Sequence, residues 1–82
     1  MDYFENLFYV ALLPNVRLSE TDFNDGHNDF ETALNEARFY PDENGIAKIA
    51  ILNNRFKKGN LKVTDLITII EIKVSHLDGF SI

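Results

Sequence analysis

The stretch LITIIEIKV, residues 66–74, is rich in β-branched residues, whose stiff side chains suit a pleated strand better than a helix. Read with a period of two, it places on one face Leu66, Ile70, Ile72 and Val74. Ile67 and Ile69 begin the other face, which charged residues then interrupt. A strand that is apolar on both sides requires cover on both sides. The pattern therefore predicts a strand that needs a packing layer on each face.

The first apolar segment, from Phe4 to Leu13, ends at Pro14. A helix is compatible with this segment, because Asp2 and Glu5 have the spacing of a capping box. A continuous apolar run of strand length, heavy in aromatic residues, is more typical of a buried strand. We favour the strand. Residues 15–27 are rich in polar and turn-forming residues and predict a long polar loop, which could include a short turn of helix.

One helix is predicted after this loop. Asn28 is the expected N-cap, and Glu31 lies three residues later, in the capping-box position. An apolar stripe at helical spacing follows, formed by Phe30, Ala33, Leu34, Ala37 and Tyr40. Pro41 should end the helix, because the residue before a proline is pushed out of the helical region.

The remaining elements are predicted to be strands. Residues 46–56 alternate as a strand, residues 57–60 form a hairpin turn, and a last strand runs from Leu61 to about Leu77. Its apolar phase changes near Asp65, which predicts a β-bulge or a break. The chain therefore predicts a single α+β domain over residues 1–82, in the order β-α-β-β. One helix would pack on one face of a small antiparallel sheet of three strands, or of four if the tail adds one.

Composition narrows the class of protein. The chain has 82 residues, of which 45% are hydrophobic and 26% charged, and this is ordinary for a globular domain. It contains no cysteine, so disulfides and thiolate metal sites are excluded. No apolar run reaches the length of a membrane span, and the acidic N-terminus is unlike a signal peptide. A cytoplasmic protein that does not bind membranes is expected.

The charges are divided along the chain. Residues 20–43 contain eight acidic side chains and one basic side chain, Arg38. Residues 46–64 contain no acid, and their basic residues are Lys48, Arg55, Lys57, Lys58 and Lys62. The simpler interpretation, which we favour, is that these charges lie on two solvated faces. The alternative is a charge asymmetry that serves the function. The net charge of −5 disfavours nonspecific attraction to nucleic acid.

No residue pattern indicates catalysis or a cofactor. The acidic loop at residues 21–32 fails as a calcium loop, because Phe23 occupies a position that must supply a side-chain oxygen. His27 and His76 have no second His or Cys at ligand spacing. The four glycines form no phosphate-binding or nucleophile-elbow motif. We expect a protein that is not an enzyme and has no cofactor and no metal.

The leading functional prediction is a small acidic protein-interaction module, expected to be homodimeric or bound to another protein. One helix covers one sheet face, and four or five large apolar side chains left in water on the other would forfeit roughly 8–12 kcal/mol. They should therefore be buried by a second copy of the chain, by another protein or by the tail folding back. The expected partner-binding residues are Phe4, Phe8, Ile67, Ile69, Phe80 and Ile82. An acidic surface would steer a basic, nucleic-acid-handling partner that the module inhibits or regulates. The residues of this acidic surface are Asp22, Asp25, Asp29, Glu31 and Glu36.

A nucleic-acid-binding regulator is the alternative. Its site would be the basic hairpin, in which four cations lie close to Phe56 and could grip a phosphate backbone. The cations are Arg55, Lys57, Lys58 and Lys62. Lysines at hairpin tips also protect sheet edges from aggregation, which is the simpler explanation of this cluster.

Overall fold

The computed structural model describes residues 7–54 and 60–78. Three strands, β1 (Leu7–Leu12), β2 (Ile46–Asn53) and β3 (Leu66–Lys73), form one antiparallel sheet in the order β1-β2-β3. Helix α1 (Phe30–Ala37) connects β1 to β2, and a short helix, α2 (Val74–Asp78), follows β3. The predicted α+β class and the order β-α-β-β are confirmed. In the described part of the chain, no helix is long and apolar enough to cross a membrane.

The strands are shorter than the sequence pattern indicated. The first segment is a strand, as favoured, whereas β2 ends at Asn53 rather than at residue 56. The predicted last strand loses both ends, because Val63–Asp65 is a 3-10 turn and Val74–Asp78 is helical. The predicted break near Asp65 is therefore present as this turn. The predicted hairpin turn lies mostly outside the described residues.

The register defines two faces of the sheet. Val10, Ala50 and Ile69 pair across the strands and share what we call the loop face. Ala11, Ile49 and Ile70 pair across the strands on the opposite side, the helix face. A register shift after Ile51 leaves one extra residue in β3, so that Leu66 pairs with Leu52. Leu66 consequently lies on the loop face with Ile69, and its predicted place beside Ile70 and Ile72 is wrong.

Helix α1 covers the helix face. Its two buried alanines, Ala33 and Ala37, pack against Ala47 and Ile49, and all four side chains are fully buried. Small side chains on both surfaces let the helix approach the sheet closely. The rings of Tyr9 and Phe30 add an edge-to-face contact with 5.5 Å between their centroids.

Both ends of α1 differ from the prediction. The N-cap is Asp29 rather than Asn28, because the Asp29 carboxylate accepts hydrogen bonds from the backbone N and the hydroxyl of Thr32, at 2.9 and 2.8 Å. The helix ends at Ala37, four residues before Pro41, and the chain leaves it through a turn. Tyr40 therefore lies beyond the buried stripe to which the periodicity assigned it.

The chain also covers its own loop face. Phe23 and Leu61 are buried there against the sheet residues Val10, Leu12, Ala50 and Leu52. Asn24 fixes this arrangement, because its side-chain oxygen accepts a hydrogen bond from Leu61 N at 2.8 Å. Phe8 and Ile69 pack half-buried against the same core. The expectation of a sheet face left open for a partner is therefore wrong for the described residues.

The loop occupies the outer edge of β1 at Tyr9. Tyr9 and His27 exchange both backbone hydrogen bonds, each 2.8 Å long, in an isolated antiparallel bridge. Gly26 precedes this bridge and lies directly against β1. The bridge joins the end of the loop to the sheet just before α1 begins.

Candidate protein-docking surface

Three large apolar side chains are exposed together near the end of β1. Leu13, Val16 and Tyr40 are 47%, 38% and 44% exposed, and all three line both of two neighbouring grooves. Leu13 and Val16 flank the turn after β1, in which Val16 N donates to Leu13 O at 3.3 Å. We call these three residues and the two grooves the docking surface.

The first groove lies on the loop face and has a volume of about 220 Å³. Leu12, Leu18 and Ile69 contribute apolar lining, and Asp42 and Lys48 are its charged lining residues. This groove is large enough to receive one apolar side chain of a partner. The charged groups of this groove lie near the start of β2, where the turn after α1 meets the sheet.

The second groove follows the outer part of β1 and has a volume of about 440 Å³. Val10 and Ala11 line it from β1, and the loop and α1 contribute the rest. Its charged lining residues are all acidic: Glu20, Asp22, Asp25 and Glu36. The second groove therefore combines apolar lining with negative charge.

The two grooves together carry an excess of negative charge. The described lining residues include five carboxylates, Glu20, Asp22, Asp25, Glu36 and Asp42, and one cation, Lys48. Lys48 is directly opposite Glu71 in the β2–β3 register, so its charge has an acidic neighbour. An apolar surface surrounded by carboxylates favours a partner that presents apolar and basic side chains together.

The position of Asp42 is fixed by the turn that precedes β2. Its carboxylate oxygen Oδ1 accepts hydrogen bonds from Asn44 N at 2.8 Å and Ile46 N at 2.9 Å. Gly45 completes the turn with a φ of +77°, a backbone conformation that residues other than glycine rarely adopt. The hydrogen bond from Ile46 lowers the pKa of Asp42 below its ordinary value, and Asn44 and the charge of Lys48 act in the same direction. The Asp42 side of the first groove is therefore anionic.

The acidic side of the second groove includes one close contact between side chains. His27 Nε2 lies 2.6 Å from Glu36 Oε1, and both side chains are partly exposed. His27 is held by its bridge to Tyr9, and Glu36 by α1. The contact therefore joins the loop to the helix beside the groove. Glu36 lies nine residues from His27 along the chain, so no helical spacing in the sequence indicates this contact.

The predicted acidic residues divide into two groups. Asp22, Asp25 and Glu36 line the second groove. Asp29 and Glu31 do not line either groove: Asp29 caps α1, and Glu31 is exposed in its first turn. A carboxylate near a helix N-terminus is stabilised by the helix dipole, which gives both residues a structural reason to be acidic.

The cap predicts a pH dependence of stability. The hydrogen bonds from the Thr32 side chain and backbone lower the pKa of Asp29 below its ordinary value, and His27 acts in the same direction. Because the folded-state pKa is lowered, the stabilisation is present above the unfolded-state pKa and is lost as the pH falls through the folded-state pKa. Asp29→Ala should therefore lower the melting temperature at neutral pH, and the difference from the native chain should shrink in acid.

Asp29→Asn is the matched control for this titration. Asparagine caps a helix nearly as well but does not titrate. Thermal unfolding of the three chains from neutral to strongly acidic pH separates capping from charge. A difference between the native chain and Asp29→Ala that stays constant with pH would contradict the assignment.

The described members of the predicted apolar contact set are not brought together as one patch. Phe8 and Ile69 are half-buried against the loop-face core, whereas Ile67 in β3 is 54% exposed. Three further predicted contact residues lie outside the described residues: Phe4, Phe80 and Ile82.

Most of the predicted basic hairpin is also outside the described residues, namely Arg55, Lys57 and Lys58. Lys62 is described and exposed, and its backbone N donates to Asp65 Oδ2 at 2.9 Å. The structure therefore gives no geometry for the hairpin as a nucleic-acid site.

The sequence reasoning missed the centre of the docking surface. Leu13 and Val16 follow a buried strand and carry no periodic signal of their own. Tyr40 was assigned to the helix stripe, because the position at which the helix ends was not evident. Two prolines are the available sequence signal, because they indicate that β1 and α1 end nearby. Pro14 follows Leu13, and Pro41 follows Tyr40.

The carboxylates do not form a metal centre. No group of three or more His, Cys, Asp or Glu side chains among residues 7–54 and 60–78 is placed to hold a metal ion. Comparison with protein-family models, with curated proteins and with solved structures found no match to this chain.

Proposed function

We propose that the chain is a protein-binding module that receives a basic partner on its docking surface. The observation that carries the proposal is the pair of grooves sharing exposed Leu13, Val16 and Tyr40, with carboxylates around them. Exposed apolar side chains supply binding free energy when a partner removes them from water. The carboxylates favour partners that bring Lys or Arg to the rim.

The geometry supports one mode of recognition. An apolar side chain of the partner enters the first groove, and flanking basic side chains reach Asp42 on one side and the second groove on the other. The rim charges would mainly set the association rate and its salt dependence. The shared apolar residues at the centre would contribute most to affinity, as central aromatic residues do in protein interfaces.

A basic, nucleic-acid-handling protein is the partner class that we propose. Surfaces that bind phosphate backbones are rich in Lys and Arg. The carboxylates of this chain could occupy such a surface in place of phosphates and so inhibit or regulate the partner. A cytoplasmic setting, with no catalysis by the chain itself, belongs to the same proposal.

A synthetic peptide tests the proposed recognition. The probe is a short peptide with leucine and tryptophan at its centre and lysine and arginine on both sides. We expect it to shift backbone amide signals of Leu13, Val16 and Tyr40, and its affinity to fall as salt is raised, because salt screens exposed charges. A peptide with glutamates in place of the basic residues is the charge control. Equal binding of both peptides, or signal shifts confined to other residues, would refute the proposal.

Two neighbouring aromatic residues provide matched variants. Tyr40→Ser removes a side chain shared by the two grooves, and Phe39→Ser removes one that is 77% exposed and lines neither of them. We expect Tyr40→Ser to weaken peptide binding by about 2 kcal/mol, roughly 30-fold. Phe39→Ser should leave the affinity unchanged. Loss of affinity in both variants would indicate a general change in the chain instead of a specific contact.

Nucleic-acid binding by the basic hairpin stays the alternative function. A single-stranded RNA oligonucleotide in low salt is the appropriate probe, because electrostatic binding is strongest there. Binding that Lys57→Glu with Lys58→Glu abolishes and Tyr40→Ser leaves intact would favour this alternative.

A further inference from the structure

The outer edge of β3 differs from the outer edge of β1. The bridge between Tyr9 and His27 occupies the β1 edge, as described above. On the β3 edge, no strand within residues 7–54 and 60–78 is hydrogen-bonded, since the sheet order places β3 last. A strand with a free edge is a template for adding another strand.

The hydrogen-bonding pattern shows which residues of β3 face this edge. Val74 N donates to Gly45 O at 2.9 Å, on the β2 side. Backbone groups alternate between the two sides of an antiparallel strand, so Ile70 and Ile72 also turn toward β2. The N–H and C=O groups of Ile69, Glu71 and Lys73 therefore point to the free edge.

The side chains along this edge carry alternating opposite charges. Glu71 and Lys73 are both exposed and lie two residues apart, and they therefore share the loop face of the sheet. The strand contains no proline, which would remove a backbone donor from a free edge. A strand that ends in Glu-x-Lys is complementary in charge to an antiparallel copy of itself.

We propose that a second copy of the chain adds antiparallel to β3, with Glu71 of each copy opposite Lys73 of the other. A two-fold axis through Ile72, perpendicular to the sheet, generates both ion pairs at once. The same register makes the outward backbone groups of Glu71 and Lys73 partners in hydrogen bonding. The two neighbouring registers are less favourable, because one places Glu71 opposite Glu71 and the other places Lys73 opposite Lys73.

The dimer in this register is expected to be weak and dependent on concentration, because it pairs only residues 70–74. The proposed dimer uses the β3 edge alone and does not require the docking surface. Loss of peptide binding by Tyr40→Ser and loss of self-association by a β3 variant are therefore separate outcomes.

Charge reversal tests the register. Glu71→Lys places two cations on each edge and Lys73→Glu places two anions, so each variant alone should dimerise at least about tenfold more weakly than the native chain. An equimolar mixture of the two variants should regain a dimer, because one ion pair then keeps its native signs and the other is restored with its signs exchanged. Sedimentation velocity over a range of concentrations measures each species.

Glu31→Lys and Lys62→Glu are the matched controls. They make the same changes in net charge at exposed positions outside β3. We expect each control to dimerise like the native chain, and their mixture to gain nothing. A native chain that is monomeric at about 1 mM, a concentration at which even weak complexes are populated, would overturn the proposal. A mixture of the β3 variants that stays monomeric while the native chain dimerises would also overturn it.

Amide hydrogen exchange supplies a readout residue by residue. The amides of Ile70 and Ile72 should be protected at every concentration, because they face β2. Those of Glu71 and Lys73 should exchange rapidly in dilute solution and at least about tenfold more slowly once the dimer forms. Slow exchange of Glu71 and Lys73 at all concentrations would refute the dimer, because it would mean that another segment of the same chain occupies the edge.

Discussion

Phe23→Ala is expected to lower the free energy of unfolding by about 3–5 kcal/mol, the cost of removing a buried phenylalanine and leaving a cavity. Phe23 is 3% exposed and covers the loop face together with Leu61. Its loss would uncover Leu12 and Leu52 as well. Each kcal/mol corresponds to roughly 4–8 °C in the melting temperature of a domain of this size. Urea and thermal unfolding measure both quantities.

Phe39→Ala is the matched control, because the same side chain is removed from a position that is 77% exposed. We expect a change within about 0.5 kcal/mol. Phe23→Leu conserves most of the volume and should cost less than about 1.5 kcal/mol, which keeps the test usable if the alanine variant does not fold. Equal stability of Phe23→Ala and Phe39→Ala would contradict the assignment of Phe23 to the cover of the sheet.

Gly26→Ala is the second substitution with a large expected effect. A Cβ at this position would lie 2.6 Å from Tyr9 O, 2.7 Å from a methyl carbon of Val10 and 2.8 Å from a ring carbon of Phe8. The closest of these is a backbone atom that accepts the hydrogen bond from His27 N, so it cannot move without breaking the bridge. We expect a loss at or above the upper end of the 1–3 kcal/mol typical of overpacking.

Substitutions at Gly45 distinguish the cost of a strained backbone conformation from the cost of a steric clash. A Cβ at Gly45 meets nothing within 4 Å, but its φ of +77° disfavours other residues. Gly45→Ala should cost roughly 1–2 kcal/mol, and asparagine, which tolerates positive φ, should recover part of that. Gly26→Asn should recover nothing, because the obstacle there is steric. Thermal unfolding of the four variants decides this, and a recovery by Gly26→Asn would contradict the steric explanation.

The elements of the fold could be predicted because each has a local signal. The β-branched run of β3, the apolar run of β1 and the stripe of α1 all follow from side-chain periodicity. Their ends were less accurate. Asp29 rather than Asn28 caps α1, since either residue type can do so and the choice depends on which carboxylate or amide reaches Thr32.

The faces of β3 could not be read from the sequence alone. One extra residue near Ile67 moves Leu66 to the side of Ile69, and an alternating pattern has no means of locating such a bulge. The cover of the loop face depends on Asn24 reaching Leu61, a contact between residues 37 positions apart. Contacts of this range leave no local periodicity, which is why the second face was expected to be open.

The sequence predicted the acidic residues of the docking surface but not its apolar residues. Asp22, Asp25 and Glu36 belong to an acidic segment that composition makes evident, and they do line one groove. Leu13, Val16 and Tyr40 come from two separate chain reversals. Their proximity is a property of the tertiary structure, so no spacing in the sequence indicates it.

The bridge between Tyr9 and His27 has a consequence for the size of any assembly. Subunits that are open on both flanks of a sheet can recruit neighbours without limit and grow into fibres. Here one flank is partly occupied by the protein's own backbone, through the bridge at Tyr9, so joining two subunits at β3 uses up the less obstructed of the two edges that the described residues provide. Association through strand addition at that end would terminate at two subunits.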